Sequence, residues 1–416
     1  MQRSFKSTTV ACYIGYFVQA IINNLSPILF IVYRSEFQIS LGAIGNLIFI
    51  NFLAQTAVDV LSVKIVDRIG YRKIILTSHA CAFVGLILLG ILPQIMDKPF
   101  WGLVIATVIS AIGSGMIEVT ISPVVDSIPS DRKEADMSLL HSFYCWGQMV
   151  VVALSTLFIR LAGNHYWFVL PFLWALVPLC NLFNFSTVPF MPTLKEEEKI
   201  PLRKLLSDKP FIIAMVLMLC AGASELAMSQ WSSYFAEAGL GVSKFMGDLL
   251  GPCLFAVFMG CGRLLFGIFG EKINLKKAMF FCAALCIVCY SVTAFSPSPL
   301  LSLFGCALTG FSISLFWPGT FSMFSAMYPN GGAAMFGVLA ILGDIGCSVG
   351  PWLVSTVSTA AQNANPVLSE GGALKTGLAF GNLFPILIIV SLLFLPLCRK
   401  KTVDRDKKAA YNNSTN

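Results

Sequence analysis

The sequence predicts an all-α membrane protein with twelve transmembrane helices in two pseudo-symmetric six-helix bundles. Three observations carry that prediction. Of the 416 residues, 12% are charged and 56% hydrophobic, with a mean hydropathy of +0.79. A water-facing globule needs about a quarter of its residues charged. Stretches 161–194, 278–343, 345–369 and 376–398 contain no Asp, Glu, Lys or Arg. Finally, basic residues crowd onto alternate connections, which sets an orientation.

A crossing needs about 20 mainly apolar residues, and in lipid only helices or closed barrels satisfy their backbone. The apolar runs are continuous rather than alternating, so helices are predicted. In order, the expected spans are 8–33, 40–65, 73–95, 99–128, 136–161, 166–189, 210–236, 246–269, 277–296, 298–327, 332–361 and 375–398. The first follows Arg3 and Lys6, as a signal peptide would. It is too long for one, and no small-residue cleavage site follows it. Cys282, Cys286 and Cys289 share one face of the ninth span. Without His or carboxylate neighbours they read as small apolar filler, not as metal ligands.

With the N-terminus inside, the inner connections hold Lys64, Arg68, Arg72, Lys73, Arg132 and Lys133, with more bases in 195–209 and 272–277. The outer connections hold only Arg34, Lys98, Arg160, Lys244 and Lys375. The positive-inside rule then places both termini in the cytoplasm. A polar stretch at the midpoint divides the chain into a bundle at 1–188, a cytoplasmic linker at 189–209, a bundle at 210–398 and a tail at 399–416. The expected setting is the lipid bilayer of the cell membrane, with the protein acting as a monomer. No metal, cofactor or nucleic-acid partner is expected. No nucleophile–base pair or phosphate-binding loop points to an enzyme.

The halves echo one another. The fourth span reads Gly115-x7-Pro123 and the tenth Gly310-x7-Pro318. The loop Asp67-Arg68-x-Gly70-Tyr71-Arg72-Lys73 is matched in part by Glu271 to Lys277, with acid, base, then two further bases at the same spacing. The first of these loops resembles the signature loop of the major facilitator superfamily, whose glycine four residues before the aspartate is Val63 here. That resemblance implies two six-helix repeats with a solute site between them near the midplane. It also implies a cytoplasmic latch, in which a carboxylate near a helix end pairs with arginines across the bundle. Asp59, Asp67, Arg68, Arg72, Arg263 and Glu271 are the candidate latch residues.

A narrower resemblance is to the fucose–proton symporter branch. It rests on Asn23-Asn24-Leu25-Ser26-Pro27-Ile28-Leu29, on Glu118-x3-Ser122-Pro123 and on the run Ser138 to Gly147 containing His141 and Phe143. Glu225-x5-Trp231 is a pairing similar to that of sugar-carrying relatives. The carboxylate of the branch's first helix is Pro27 here, so its proton relay does not carry over whole.

Ionisable residues inside the bilayer are costly, which makes them functional candidates whatever the family. Glu118, mid-span between Gly113-x-Gly115 and Pro123, is the leading proton carrier. Glu225 and Asp344 read equally as proton carriers or structural groups; glycines around Asp344 permit close helix packing. Asn23, Asn24, His141, Tyr144, Gln230, Trp231 and Trp317 supply amides, hydroxyls and aromatic faces. Sugars want that mixture, since hydroxyls need fixed donors and acceptors while the apolar ring face stacks on an aromatic. The sequence shows no Arg or Lys placed deep in a cavity, which argues against an organic-anion or phosphate-ester carrier. The expected activity is proton-coupled uptake of a neutral polar solute such as a monosaccharide, by alternating access. The alternative is proton-driven efflux of drugs or metabolites.

Overall fold

The computed structural model describes residues 5–39, 41–191, 200–236 and 240–395. The side chains of Asp67, Arg68 and Glu271 lie outside the described residues, as do the charged run 195–199 and the tail from 396. Among the described residues the chain is helical, without strands. The first half comprises α1 (Phe5–Phe37), α2 (Leu41–Ile69), α3 (Tyr71–Ile95), α4 (Pro99–Ser127), α5 (Lys133–Ala162) and α6 (Val169–Thr187). A short α7 (Leu202–Ser207) leads into α8 (Lys209–Tyr234), α9 (Lys244–Asp248), α10 (Leu254–Phe269) and α11 (Leu275–Phe295). Then follow α12 (Pro299–Ile313), α13 (Phe316–Met327), α14 (Gly332–Ala364) and α15 (Glu370–Phe380), with α16 at 383–395.

Ten stretches among the described residues are long and apolar enough to cross a membrane, and Phe49–Leu61 within α2 is a shorter apolar helix. Phe183, Phe281, Leu300 and Phe394 point outward, and a continuous apolar exterior of this kind is stable against lipid rather than water.

Local chemistry explains the breaks. Gly70 joins α2 to α3 at φ +88°, a conformation that side chains with a Cβ resist. Pro318 in α13 has no amide hydrogen, so the carbonyl of Ser314, four residues earlier, is left without its helical donor. The span Pro299–Met327 accordingly divides into α12 and α13 at Ser314. Gly346 and Gly350 of α14 lie against the Leu219 and Ala223 carbonyls of α8 with no space for a Cβ. The two helices therefore pack at backbone contact, the small-residue mode of membrane helices.

α1 to α6 pack on one another, and α8 to α15 do likewise. The two groups meet along α2–α14, α4–α14, α5–α10 and α5–α13. Hydrogen bonds across this seam gather at the end where α4 and α13 finish, here termed the base. Arg132 Nη2 donates to Gly267 O at 2.7 Å, and Ser325 Oγ to Asp126 Oδ1 at 3.1 Å. Towards the opposite end, Arg160 stacks 4.6 Å from the ring centroid of Phe245.

Candidate solute and proton site

Above the base a small cleft of about 40 Å³ opens between α1, α2, α3, α4 and α8. Its polar lining is neutral, with Asn23, Ser26, Asn51, Thr107, Ser110 and Gln230 set among leucines and Phe52. Asn24 donates to its own helix at Ala20 O, 2.9 Å away. Tyr144 of α5 brings its hydroxyl up to Asn23 and Asn24. Trp231 donates from Nε1 to Pro351 O at 3.2 Å, which fixes its ring between α8 and α14. Trp317 lies apart from these residues; it is buried against Gly343 and Phe321, in the wall between α13 and α14.

Beneath the cleft sits a polar core. Eight residues separate Ser110 from Glu118 along α4, about 12 Å towards the base at 1.5 Å per residue. Glu118 is 8% exposed and accepts a 2.6 Å hydrogen bond from Gln19 Nε2 of α1. His141 Nε2 lies 3.2 Å from the Tyr16 hydroxyl and 3.3 Å from Ser122 Oγ, and those two oxygens are 2.7 Å apart. This triangle ties α1, α4 and α5 together. His141 is thus a bonded group within the first half, and its ring also abuts Phe321 across the seam.

Arg263 occupies the centre at 2% exposure. Its Nε donates to Ser314 O at 3.0 Å, filling the vacancy that Pro318 creates. Its Nη1 donates to His141 O at 3.0 Å and reaches Cys145 Sγ at 3.1 Å. Nη2 stands 3.6 Å from Glu225 Oε2. A guanidinium is always charged, and burying it demands a paired anion. Glu225 is that anion.

The structure departs from the sequence reading at three residues. Arg263 does lie deep in the bundle, where no cation was expected, although Glu225 offsets its charge. Read from the sequence as a latch residue, it is a joint of the core, bonded to Ser314, His141 and Glu225. Asp59, assigned above to the latch, is wholly buried and faces Asp344 and Glu118. Among the described residues, Arg72 clamps the end of α6. It donates to Phe185 O, Ser186 O and Val188 O at 3.0, 2.7 and 2.7 Å and stacks on Phe190. Asp67, Arg68 and Glu271 fall on side chains outside the described residues.

Tyr16 and Gln19 escaped the sequence reading. They share one helical face with Asn23, at spacings of three and seven, as His141, Tyr144 and Gln148 do on α5. That polar stripe on an otherwise apolar helix was the available signal.

A bundle of membrane-length helices whose halves meet at a buried polar core, below a neutral cleft, defines a multi-pass membrane transporter. The chain belongs to the Major Facilitator Superfamily, whose family description matches residues 12–351; it is a transporter and not an enzyme. No curated protein sequence matches it. Among solved structures it is similar to the fucose transporter FucP in the outward conformation, at TM-score 0.76 and 16% identity, over 94% of this chain and 99% of that one. It is similar to the proton:xylose symporter XylE bound to 6-bromo-6-deoxy-D-glucose, at TM-score 0.79 and 13% identity, over 94% of each chain. A human organic anion transporter also matches, at TM-score 0.71 and 13% identity, over 94% and 100%. Identities this low speak to the fold alone.

Proposed function

We propose that the protein carries a neutral polar solute, a monosaccharide or a molecule of similar chemistry, together with protons by alternating access. One observation carries this reading: a cleft lined by uncharged amides and hydroxyls lies on the same helix as the buried carboxyl of Glu118, about 12 Å along α4. Fixed donors and acceptors suit hydroxyls, and a carboxyl buried within the membrane can load and release a proton as its access changes sides. Similarity in fold to the fucose and xylose symporters supports the same reading.

In this account the chain forms two six-helix bundles, 1–188 and 210–398, joined by the linker 189–209. The contacts at the base match a state closed there. The lysines and arginines at that base support a cytoplasmic placement of it, with the protein in the cell membrane. Glu118 carries the coupled proton, Arg263 with Glu225 holds the halves in register, and Asn23, Asn24, Tyr144, Gln230 and Trp231 meet the solute. His141 and Trp317 shape the walls behind them.

The rival reading is efflux of a lipophilic cation. A thermal-shift screen of hexoses, pentoses, polyols and cationic dyes on the purified protein separates the two. Stabilisation by at least one sugar class is expected. Stabilisation by dyes and by no sugar would leave the exporter.

A further inference from the structure

We propose that Asp59 and Asp344 form a second proton-holding site, one proton shared between two carboxyls across the α2–α14 seam, which keeps the halves joined there. Asp59 is wholly buried, Asp344 is 3% exposed, and the two carboxyls lie within hydrogen-bonding reach of each other. No N–H or O–H donor reaches either oxygen of Asp59, nor Asp344 Oδ2. Ionised carboxylates only accept, so this pair bonds only when one of the two carries a proton. Two ionised carboxylates in contact, away from water and any cation, would repel strongly.

Among the described residues, no cation neutralises the pair. From α4 the nearest titratable group is another carboxyl, Glu118. From α8 it is Glu225, already paired with Arg263, and Cys347 lies on α14 itself. Gln55 of α2 is neutral and accepts from Ser114 Oγ at 2.6 Å. Further along α4, Gly115 leaves Asp59 Oδ1 so close that an added Cβ would meet it at 2.9 Å. His79 of α3 is bonded to Asn181 of α6 instead. Lys375 of α15 donates to Ser296 O, and Arg203 and Lys204 of α7 are exposed.

The seam also joins the two halves of the transporter. With its proton the pair bridges α2 and α14; without it, two facing carboxylates push them apart. Loss of this proton would therefore favour separation of α2 from α14, and because Glu118 faces the pair, its load shifts the pH at which this happens without replacing the shared proton. The inference rests on the alternating-access reading but not on the identity of the solute.

Infrared spectroscopy of the purified full-length protein across a pH titration tests the shared proton. Asp59→Asn and Asp344→Asn should each abolish one and the same protonated-carboxyl band, because an amide can donate to the remaining carboxylate without a proton. Glu118→Gln should leave that band in place. Should an asparagine variant fail to fold, Asp59→Glu and Asp344→Glu, which keep both carboxyls, should each shift the same band. Hydrogen–deuterium exchange tests the gate. Once the intrinsic base-catalysed rise of amide exchange is divided out, exchange along α2 and α14 should still rise with pH in the wild type and in Glu118→Gln, and lose that residual dependence in the Asp59→Asn/Asp344→Asn double variant. A band removed by only one of the two substitutions, or an unchanged pH dependence in the double variant, would overturn the proposal. Neither readout involves transport, so a failed sugar assay would leave this result standing.

Discussion

Gln19 Nε2 donates to Glu118 Oε2 across 2.6 Å, tying α1 to α4 inside the bundle. The other end of that amide, Gln19 Oε1, is buried without a partner. An amide of this kind serves a carboxyl in either state: its N–H donates to the anion, and after rotation its oxygen accepts from the acid. Gln19 can therefore accompany Glu118 through a proton cycle without leaving it unbonded. Gln19→Ala should cost about 1–3 kcal/mol of stability by stranding a buried polar group, read as a lowered melting temperature. Gln19→Glu should be worse at neutral pH than at acid pH, since it sets two carboxyls face to face.

The Arg263–Glu225 pair is a joint whose two members cannot be removed singly. Glu225→Gln leaves a buried guanidinium without its anion, and breaking a buried pair in this way costs about 3–5 kcal/mol. Replacing both, as Arg263→Met with Glu225→Leu, should recover most of the lost stability while losing transport. Thermal unfolding in detergent, with uptake measured on the same samples, checks both halves of that statement. Equal stability of Glu225→Gln and wild type would contradict the assignment.

Gly346 carries the α8–α14 contact, because its neighbour is the backbone carbonyl of Leu219 rather than a movable side chain. Gly346→Ala should destabilise the fold by about 1–3 kcal/mol, the usual cost of overpacking. Gly70→Ala should also destabilise, for a different reason: there is open space around Gly70 but a positive φ. Melting curves of the two variants against wild type read these effects directly.

Much of this was legible in the chain. Charge-free stretches and apolar length exposed the helices, and Glu118 stood out as a carboxylate in mid-span. Gly346 and Gly350 announced close packing before their partners were known. What could not be read was pairing between helices far apart in sequence. Asp59 looked like part of the nearby loop because Asp67 is two turns away, whereas burial sets it against Asp344, a residue of the other half. Arg263 misled in the same manner, since its partners Ser314, His141 and Glu225 come from three other elements. Proline spacing in the tenth span held the missing clue: Pro318 frees the carbonyl that Arg263 takes.

Solute recognition is tested at α8. If a sugar binds, Trp231→Phe should retain partial transport, losing the bond to Pro351 O, worth about 1 kcal/mol, while keeping an aromatic face. Trp231→Ala should abolish transport. Gln230→Ala should weaken binding by about 1–3 kcal/mol, the cost of leaving a hydroxyl unpaired. Binding isotherms for a sugar found by the thermal screen give these values. A silent Gln230→Ala beside a dye-binding wild type would favour the exporter.

The central claim is that Glu118 couples proton movement to solute movement, and one measurement addresses it most directly. Wild type and Glu118→Gln are reconstituted in proteoliposomes, and labelled monosaccharide is followed in two modes: accumulation under an imposed pH gradient, and exchange with the same sugar preloaded inside. A glutamine is the neutral counterpart of the proton-loaded carboxyl, so the variant should lose uphill accumulation and keep exchange. Undiminished gradient-driven accumulation by Glu118→Gln would contradict the account.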